Sequence, residues 1–439
     1  MDDYREKSFW LSQLDLEAKP SLEGTVNCDV AIVGGGFTGI STAHFLKQMD
    51  PSMDVVVLEK DLVGYGASGR NAGFSMKLFG FSMAMTKMRF GAESAVEAHH
   101  YMTEAVHLVQ ELVDEHKIDC DYEHTGFFRL ATSEAYEKRI KKEIEFAHSM
   151  GVDDIEWKSA DEVAEEVQSP TFRGGAWEPD SAILNPAKLI QGLKEVVQKQ
   201  GVTIYEGTPV EEIDTGERVR LSTPAGEVRA DRAVLATNAY THLLPVLKSK
   251  QAPAFTHIIL TEPLRDEHFD KIGWQKRQGL EDARNMIHYF RLTADNRLLL
   301  GGSDVKIPFG DNMEHDRDEE VFSRLEKDLR FLFPQLADVD VEYRWGGPVS
   351  VTLDMAPALG EVEGGRLLYS LGCTGHGVSL THLNGKTLAE LVLGETTERT
   401  EAFFVNRWVP PWPPEPLRFA ATQTVRGALR FQDRLTDAR

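Results

Sequence analysis

The sequence contains few cysteines, and they are not spaced as a disulfide framework. Only Cys28, Cys120 and Cys373 occur in 439 residues, and no CxxC pair is present. This usage favours a reducing compartment, and we expect the cytoplasm. The opening residues MDDYREKSFW are acidic and lack an apolar run, which argues against a secretory signal. No stretch of about 18 apolar residues occurs, so the sequence predicts no membrane-spanning helix.

Basic residues are also in deficit. The chain has 48 Lys and Arg against 70 Asp and Glu, a formal net charge of -22. A surface this acidic repels phosphates, so we expect no nucleic-acid partner.

We expect no metal either. His116, Cys120 and His124 are evenly spaced, but they straddle a predicted helix-to-strand turn and a fourth ligand is not apparent.

Strand–helix units are predicted near residues 30, 200 and 370, with mixed strands and helices between them. The chain is long for one compact domain. We therefore expect an α/β (α+β) fold in which a Rossmann-like dinucleotide-binding domain is interrupted by a substrate domain of β-sheet and helices. The expected ranges are 27–90, 170–245 and 345–400 for the first domain, 91–169 and 246–344 for the second, and 401–439 for a linker and a C-terminal docking helix.

The C-terminal segment follows a proline-rich stretch, Pro410 to Pro416, that predicts a stiff extended linker. Beyond it, Arg426, Arg430 and Arg434 recur on one helical stripe. A basic face could contact anionic lipid. Docking on the acidic body of the same chain is the favoured interpretation, and membrane contact is not expected.

A glycine-rich turn follows the first predicted strand. The stretch CDVAIVGGGFTGISTAHFL contains G-x-G-x-x-G at Gly34, Gly36 and Gly39. Such glycines permit a sharp turn, close approach of a pyrophosphate, and tight packing of helix on strand. Glu59 ends the second strand 20 residues beyond Gly39, where a carboxylate can accept hydrogen bonds from both ribose hydroxyls. The two features together predict a dinucleotide site, and the carboxylate disfavours NADP.

A second glycine-rich segment, KDLVGYGASGRNAGF, comes directly after Glu59. Its spacing suits a backbone pressed against a flat ligand and favours FAD over NAD. Together with VLATNAYT and GCTGHGVSLTHLNGK, this segment makes the sequence resemble the D-amino-acid-oxidase-like (DAO) FAD-dependent oxidoreductases, and within them the gamma-glutamylputrescine oxidase and sarcosine oxidase branch. The resemblance covers about Cys28 to Glu395.

The resemblance implies an FAD-binding domain with glutathione-reductase-type topology. It also implies which positions hold the cofactor. These are Gly34, Gly36, Phe37, Thr38, Gly39, Glu59, Lys60, Gly66, Ala67, Ser68, Arg70, Asn71, Ala72, Gly73, Val210, Thr237, Asn238, Gly347, Gly375, His376, Gly377 and Val378. His376 could equally hold its turn. Relatives with a covalent flavin have a histidine or a cysteine where this chain has Arg70 or Gly347, so we expect FAD to be non-covalent.

The implied reaction is oxidation of a C–N bond in an amine or amino acid, with hydride transfer to flavin N5 and hydrolysis of the imine to an aldehyde or keto acid plus amine or ammonia. Candidate catalytic residues are Tyr289, Arg291, His257 and His288. His288 and Tyr289 alternate along a strand, so only one should face the flavin. We favour Tyr289, with Arg291 on the same face.

Two alternatives remain open from the sequence. One is an FAD dehydrogenase of a hydroxyl substrate, such as a glycerol phosphate. The other is a flavin-binding subunit of a larger complex. The exact amine, the electron acceptor (O2 or another) and self-association into a homo-oligomer are not encoded by any motif.

Overall fold

The computed structural model describes residues 3–437. Its strands, in chain order, are β1 (Gly24–Val33), β2 (Val55–Leu58), β3 (Phe74–Ser75), β4 (Phe127–Leu130), β5 (Glu156–Ser159), β6 (Gly174–Glu178), β7 (Ala182–Ile183), β8 (Thr203–Tyr205), β9 (Glu212–Thr215), β10 (Val219–Thr223), β11 (Gly226–Leu235), β12 (Ala252–Pro263), β13 (Gly279–Asp282), β14 (His288–Leu292), β15 (Arg297–Gly302), β16 (Val341–Val351), β17 (Ala358–Val362) and β18 (Leu367–Leu371).

The α-helices are α1 (Phe9–Ser12), α2 (Phe37–Met49), α3 (Met83–Phe90), α4 (Ala92–His116), α5 (Glu134–Ser149), α6 (Ala160–Glu166), α7 (Pro186–Lys199), α8 (Asp266–Ile272), α9 (Glu319–Leu332), α10 (Gly377–Leu393) and α11 (Leu417–Asp437). Asn185 caps α7 by accepting the N–H of Lys188, and Pro186 occupies its first turn. Among the helices of residues 3–437, none combines the length and apolar character that a membrane crossing requires.

The first sheet has the order β17-β18-β11-β1-β2-β8, with β10 and β9 continuing antiparallel from β11. Strands β18, β11, β1, β2 and β8 run parallel to one another. The second half of β1, Val30–Val33, is buried on both faces, as its apolar run predicts. Ile32 packs with α2 and α10 on one face, and Ala31 packs on the other.

The parallel strands place separate chain segments at one edge. The carboxyl ends of β1, β2, β11 and β18 all lie on the same side of the sheet. The segments that leave these strands begin at Gly34, Glu59, Ala236 and Gly372. This is the edge at which open parallel sheets bind ligands.

The second sheet has the order β16-β12-β15-β14-β13-β4-β6-β5 and is mostly antiparallel. One of its faces packs on α9 through apolar side chains such as Phe290, Leu300 and Leu325. Side chains alternate along each strand, so every second residue lies on the opposite face. That face is turned toward the carboxyl edge of the first sheet, because residues of the face and of the edge line the same cavity.

The α/β fold is confirmed, with two eight-stranded sheets and a two-stranded sheet of β3 and β7. The expected domain ranges differ from the observed packing and strand pairing in three places. Helix α4, expected in the substrate domain, packs its apolar stripe in the same core as Ile32 of the first sheet. Strand β6, expected in the first domain, pairs with β4 and β5 of the second sheet. The expected boundary at residue 345 falls inside β16. Hydrophobic periodicity shows that an element is amphipathic, but it does not show which neighbour covers the apolar side.

Candidate functional site

The turn between β1 and α2 requires glycine at two positions. Gly34 has φ of +110°, and a Cβ there would lie 2.6 Å from the carbonyl oxygen of Ala236. A Cβ on Gly39 would lie 2.0 Å from the carbonyl oxygen of Gly34. The turn is therefore as tight as the sequence predicts, and it brings the N-terminus of α2 to the cavity.

The N-terminus of α2 carries partial positive charge from its unpaired N–H groups. Gly36 is the N-cap residue and offers no side chain to satisfy them. The Ser68 hydroxyl instead accepts the N–H of Phe37 at 2.9 Å. This bond ties the second glycine-rich segment to the first, at the helix end where an anion would bind.

Glu59 lies at the end of β2 with both carboxylate oxygens engaged by the backbone. One oxygen accepts the N–H of Gly35 at 2.6 Å, and the other accepts the N–H of Asp61 at 2.9 Å. Burial raises the pKa of Glu59 to about 7, despite these two bonds. A carboxyl group with that pKa can still accept from ligand hydroxyls, and it lines the cavity as the ribose site requires.

The second glycine-rich segment forms another side of the cavity. The Arg70 guanidinium lies 4.7 Å from the centre of the Tyr65 ring, and its Nε donates to the Tyr65 carbonyl at 2.8 Å. The Trp345 indole donates to the Arg70 carbonyl at 2.8 Å. The Cβ of Arg70 would be 3.3 Å from a Cβ on Gly347. The two positions at which the resemblance implies covalent attachment are thus adjacent, and neither an arginine nor a glycine can form such a link.

The N-terminus of α10 forms the third backbone turn at the cavity. Thr374 and Gly375 have φ of +50° and +97° in the segment before it. His376 is the N-cap residue and makes no capping side-chain bond. Burial lowers the pKa of His376 to about 4, so the imidazole is neutral at pH 7. The positive potential here comes from the helix N–H groups rather than from a charged histidine.

One cavity of about 1020 Å³ joins these turns to the second sheet. Every position expected to hold the cofactor lines it except Gly39, whose place is in the helix–strand contact. The lining set comprises Gly34, Gly36, Phe37, Thr38, Glu59, Lys60, Gly66, Ala67, Ser68, Arg70, Asn71, Ala72, Gly73, Val210, Thr237, Asn238, Gly347, Gly375, His376, Gly377 and Val378.

These features fit FAD. A Cβ on Gly375 would meet no atom within 4 Å, so that glycine borders open space that a flat ring can occupy. The uncapped N-termini of α2 and α10 offer N–H groups for a pyrophosphate and for a polar ring edge. The carboxyl of Glu59 suits a ribose diol. The residues present therefore match the three chemical parts of the cofactor.

The substrate-side wall is the face of the second sheet that is turned away from α9. Strand pairing places Tyr289 opposite Glu281, and Glu281 opposite Arg129. Paired residues point to the same face, so the three side chains form a row. Phe127 and Glu178, also paired, lie beside this row. All five residues line the cavity.

Electrostatics along this row are dominated by buried carboxyl groups. Burial raises the pKa of Glu281 to about 7, although Arg129 Nε lies 3.7 Å from its carboxylate. Burial also raises the pKa of Glu178. The Arg129 guanidinium is shared with Glu143, which it contacts at 2.5 Å. The cavity can therefore hold a proton on a carboxyl group near neutral pH.

Tyr289 is the one predicted catalytic residue that lines the cavity. Its hydroxyl bonds the Thr256 side chain, and burial raises its pKa to about 12. The hydroxyl is therefore protonated at pH 7 and can donate a hydrogen bond. Thr256 lines the same wall.

The structure does not bring His257 and His288 to the cavity. Both side chains lie on the face of the second sheet that packs on α9, because side chains alternate along a strand. His257 Nε2 bonds the carbonyl of His315 at 3.0 Å. His288 lies between Asp282 and Asp328, at 2.8 Å and 2.9 Å. The prediction that these two histidines are catalytic is therefore wrong as to their position, and we assign them a structural role.

Arg291 also differs from expectation. It shares the face of Tyr289, as predicted, but it does not line the cavity. Nη1 donates to the carbonyls of Gly73 and Leu184 at 3.0 Å and 2.7 Å. The side chain is 1% exposed. It joins the second glycine-rich segment to the chain between β7 and α7 instead of binding a substrate carboxylate.

Sequence reasoning missed Glu281, Glu178, Arg129 and Thr256 as site residues. An ionisable residue inside a buried strand is itself a sign of function, because an unpaired buried charge is costly. The sequence GLED at β13 and FFRL at β4 carries that pattern. Their convergence with Tyr289 depends on strand order, which no local pattern encodes.

Comparison with known proteins agrees with this geometry. Residues 29–391 match the model of the DAO family, described as FAD dependent oxidoreductase. The chain is 32% identical over 385 residues to gamma-glutamylputrescine oxidoreductase of Escherichia coli (strain K12), covering 87% of each chain. It is 30% identical over 393 residues to the probable oxidoreductase OrdL of Haemophilus influenzae, covering 88% of this chain and 87% of that one.

A solved structure shares the fold. Glycine oxidase from Geobacillus kaustophilus superposes with a TM-score of 0.74 at 22% identity, covering 88% of this chain and 100% of that one. The resemblance stated from the sequence motifs is confirmed, as is FAD as the cofactor. The chain belongs to the DAO family of FAD-dependent oxidoreductases.

Proposed function

We propose that this enzyme oxidises the C–N bond of a small amine or amino acid bound against the Tyr289–Glu281–Arg129 row. The observation that carries the proposal is the single cavity that runs from the glycine turns to this row of side chains. FAD, when bound, supplies the hydride acceptor. The relatives named for gamma-glutamylputrescine, glycine and sarcosine oxidation support the same class of substrate.

Glu281 is the proposed proton acceptor. An aliphatic ammonium has a pKa near 10.4, so its deprotonation at pH 7 costs about 4.6 kcal/mol, and an ammonium is a poor hydride donor. Burial raises the pKa of Glu281 from 4.5 to about 7. The free energy of proton transfer to this carboxylate is thereby more favourable by about 3 kcal/mol. The same low-polarity surroundings lower the pKa of a bound ammonium.

Tyr289 and Arg129 are proposed to orient the substrate. The Tyr289 hydroxyl remains protonated at working pH, since burial raises its pKa to about 12. It can donate to a substrate oxygen or to the neutral amine. Arg129 Nε is buried without a hydrogen-bond partner among the described residues and is available to a polar group of the substrate. Orientation of the reacting carbon is worth several kcal/mol when the geometry is fixed in advance.

The test is anaerobic mixing of the purified protein with secondary amines, amino acids, amino-terminated alkyl acids and, as the opposing set, polyols and glycerol phosphate. Loss of flavin absorbance with an amine and none with the polyols is the expected result. Bleaching by hydroxyl substrates alone would overturn the proposal. The same measurement in air, with and without added quinone, identifies the electron acceptor.

We also propose a cytoplasmic location. The three cysteines are free in the structure, which suits a reducing compartment.

Mass measurement of the purified protein in solution distinguishes a monomer from a homo-oligomer.

A further inference from the structure

Helix α11 lies beyond the residues matched by the family model, yet it contacts the substrate end of the cavity. Residues 29–391 are matched, and α11 spans Leu417–Asp437. Its side chain Asp433 is 6% exposed. A carboxylate this buried on a helix of mostly exposed residues needs specific partners.

Asp433 receives four hydrogen bonds. One carboxylate oxygen accepts the backbone N–H of Asn285 at 2.9 Å, the Asn285 side-chain amide at 2.8 Å and the Tyr136 hydroxyl at 3.0 Å. The other oxygen accepts the backbone N–H of Met286 at 2.9 Å. The carboxylate thus fixes the backbone of residues 285 and 286, two residues before the strand that carries Tyr289.

The segment held by Asp433 forms part of the cavity wall. Its residues Arg284, Asn285, Met286 and Ile287 all line the cavity. Arg139 of α5 holds the same turn from another side, since its Nη1 donates to the Asn285 amide oxygen at 3.2 Å. Without Asp433, the N–H groups of residues 285 and 286 would lose their acceptor, because these bonds are made to α11 and not within the second sheet.

A second contact attaches α11 to another stretch of the wall. Arg426 forms a two-point ion pair with Asp304, at 2.6 Å and 2.5 Å. Asp304 is buried and lines the cavity. Although burial opposes ionisation of Asp304, its ion pairs with arginines such as Arg426 lower the pKa of this carboxyl to about 2. The carboxylate is therefore ionised at every working pH. Arg426 and Arg430 of the predicted basic stripe thus contact the acidic body at Asp304, and Asp433 adds an acidic contact from the same helix.

We infer that Asp433 is a positioning residue for the reaction, and that α11 sets the shape of the substrate end of the cavity through it. The inference rests on the proposed function for its kinetic consequence only. The structural part, that Asp433 orders the 284–287 turn, stands independently of which substrate is oxidised.

The experiment compares Asp433→Ala and Asp433→Asn with Gln432→Ala in the full-length holoenzyme. Gln432 is the exposed neighbour on the same helix and is the matched control. Hydrogen exchange is followed in peptides covering residues 283–290 and, as reference, 29–46. We expect exchange at 285 and 286 to rise by ~30-fold or more in Asp433→Ala and less in Asp433→Asn, with residues 29–46 and FAD content unchanged.

Kinetics provide the second measurement, with the amine that reduces the flavin fastest in the panel described above. KM should rise by roughly tenfold in Asp433→Ala while kcat changes far less, and Gln432→Ala should match the unmodified protein. A general loss of folding would instead lower FAD content and kcat together. If Asp433→Ala does not fold, Asp433→Asn and Tyr136→Phe carry the same comparison.

Unchanged exchange at residues 285 and 286 in both Asp433 variants would overturn the inference, as would faster exchange with an unchanged KM. If no amine reduces the flavin, the proposed function fails, and the exchange measurement still decides whether Asp433 orders the turn.

Discussion

Glu59 accepts the backbone N–H of Gly35 at 2.6 Å, so the acidic end of β2 and the glycine turn after β1 form one unit. The bond fixes the carboxyl at the cavity wall, where a ribose would lie. It also explains why the two sequence features occur together.

The first prediction concerns this carboxyl. Glu59→Ala removes the acceptor for the ribose hydroxyls and leaves the Gly35 N–H unpaired, so the Kd for FAD should rise by ~10–100-fold. Flavin fluorescence quenching during titration of the apoprotein measures it. Glu217→Ala, at an exposed position between β9 and β10, should leave the Kd unchanged. Equal affinities in both variants would contradict the assignment.

The second prediction concerns the close contact between helix and strand. A Cβ at position 39 would meet the Gly34 carbonyl oxygen at 2.0 Å, which is backbone and cannot rotate away. Gly39→Ala should therefore lower the free energy of unfolding by more than ~2 kcal/mol or prevent soluble expression.

Gly427→Ala is the control for this substitution, since a Cβ there meets nothing within 4 Å on a helix. Alanine should be neutral or stabilising there, by ~0.5–1 kcal/mol. Chemical denaturation gives both values. A Gly39→Ala protein of normal stability would show that the turn is looser than described.

The third prediction is a pH dependence. Glu281 must be ionised to accept a proton, and its folded pKa is raised to about 7 by burial. The rate of anaerobic flavin reduction at low substrate should therefore rise with pH through about 7. Glu281→Gln should lose that inflection, retain only the one that belongs to the substrate amine, and react ~100-fold more slowly. Tyr205→Phe, outside the cavity lining, serves as the unaffected control. A Glu281→Gln enzyme with the original profile would remove Glu281 from the mechanism.

The fourth prediction concerns stability. His288 lies between Asp282 and Asp328, and although burial opposes its charge, these carboxylates raise its pKa to about 9 from 6.5. The charged form therefore contributes stability that is fully present below pH 6.5 and is lost as pH rises through about 9. The contribution is about 3 kcal/mol.

In His288→Gln, the fall in the free energy of unfolding between pH 6.5 and 9 should disappear, while His107→Gln, at an exposed position, should keep it. Denaturant titrations across this pH range make the comparison. An unchanged fall in His288→Gln would show that another group causes it.

The cofactor end of the cavity could be predicted from sequence because its determinants are local. Gly34, Gly36 and Glu59 act through backbone geometry and strand ends that a short segment specifies. The alternation of His288 and Tyr289 likewise predicted that only one faces the cavity, and Tyr289 is that residue.

The substrate end could not be predicted in the same way. Glu281 meets Tyr289 and Arg129 only because β13 pairs with both β14 and β4. Arg291 shares the favoured face, but a neighbouring carbonyl group, that of Leu184, binds its guanidinium. Strand order and such competing contacts arise from the whole fold, and a single sequence does not display them.

The most direct measurement is the absorbance spectrum of the purified protein before and after acid precipitation. The account predicts a yellow protein with about one FAD per chain, all of it released into the supernatant, since neither Arg70 nor Gly347 can form a covalent bond to the flavin. A folded chain that is colourless and does not take up FAD would contradict it.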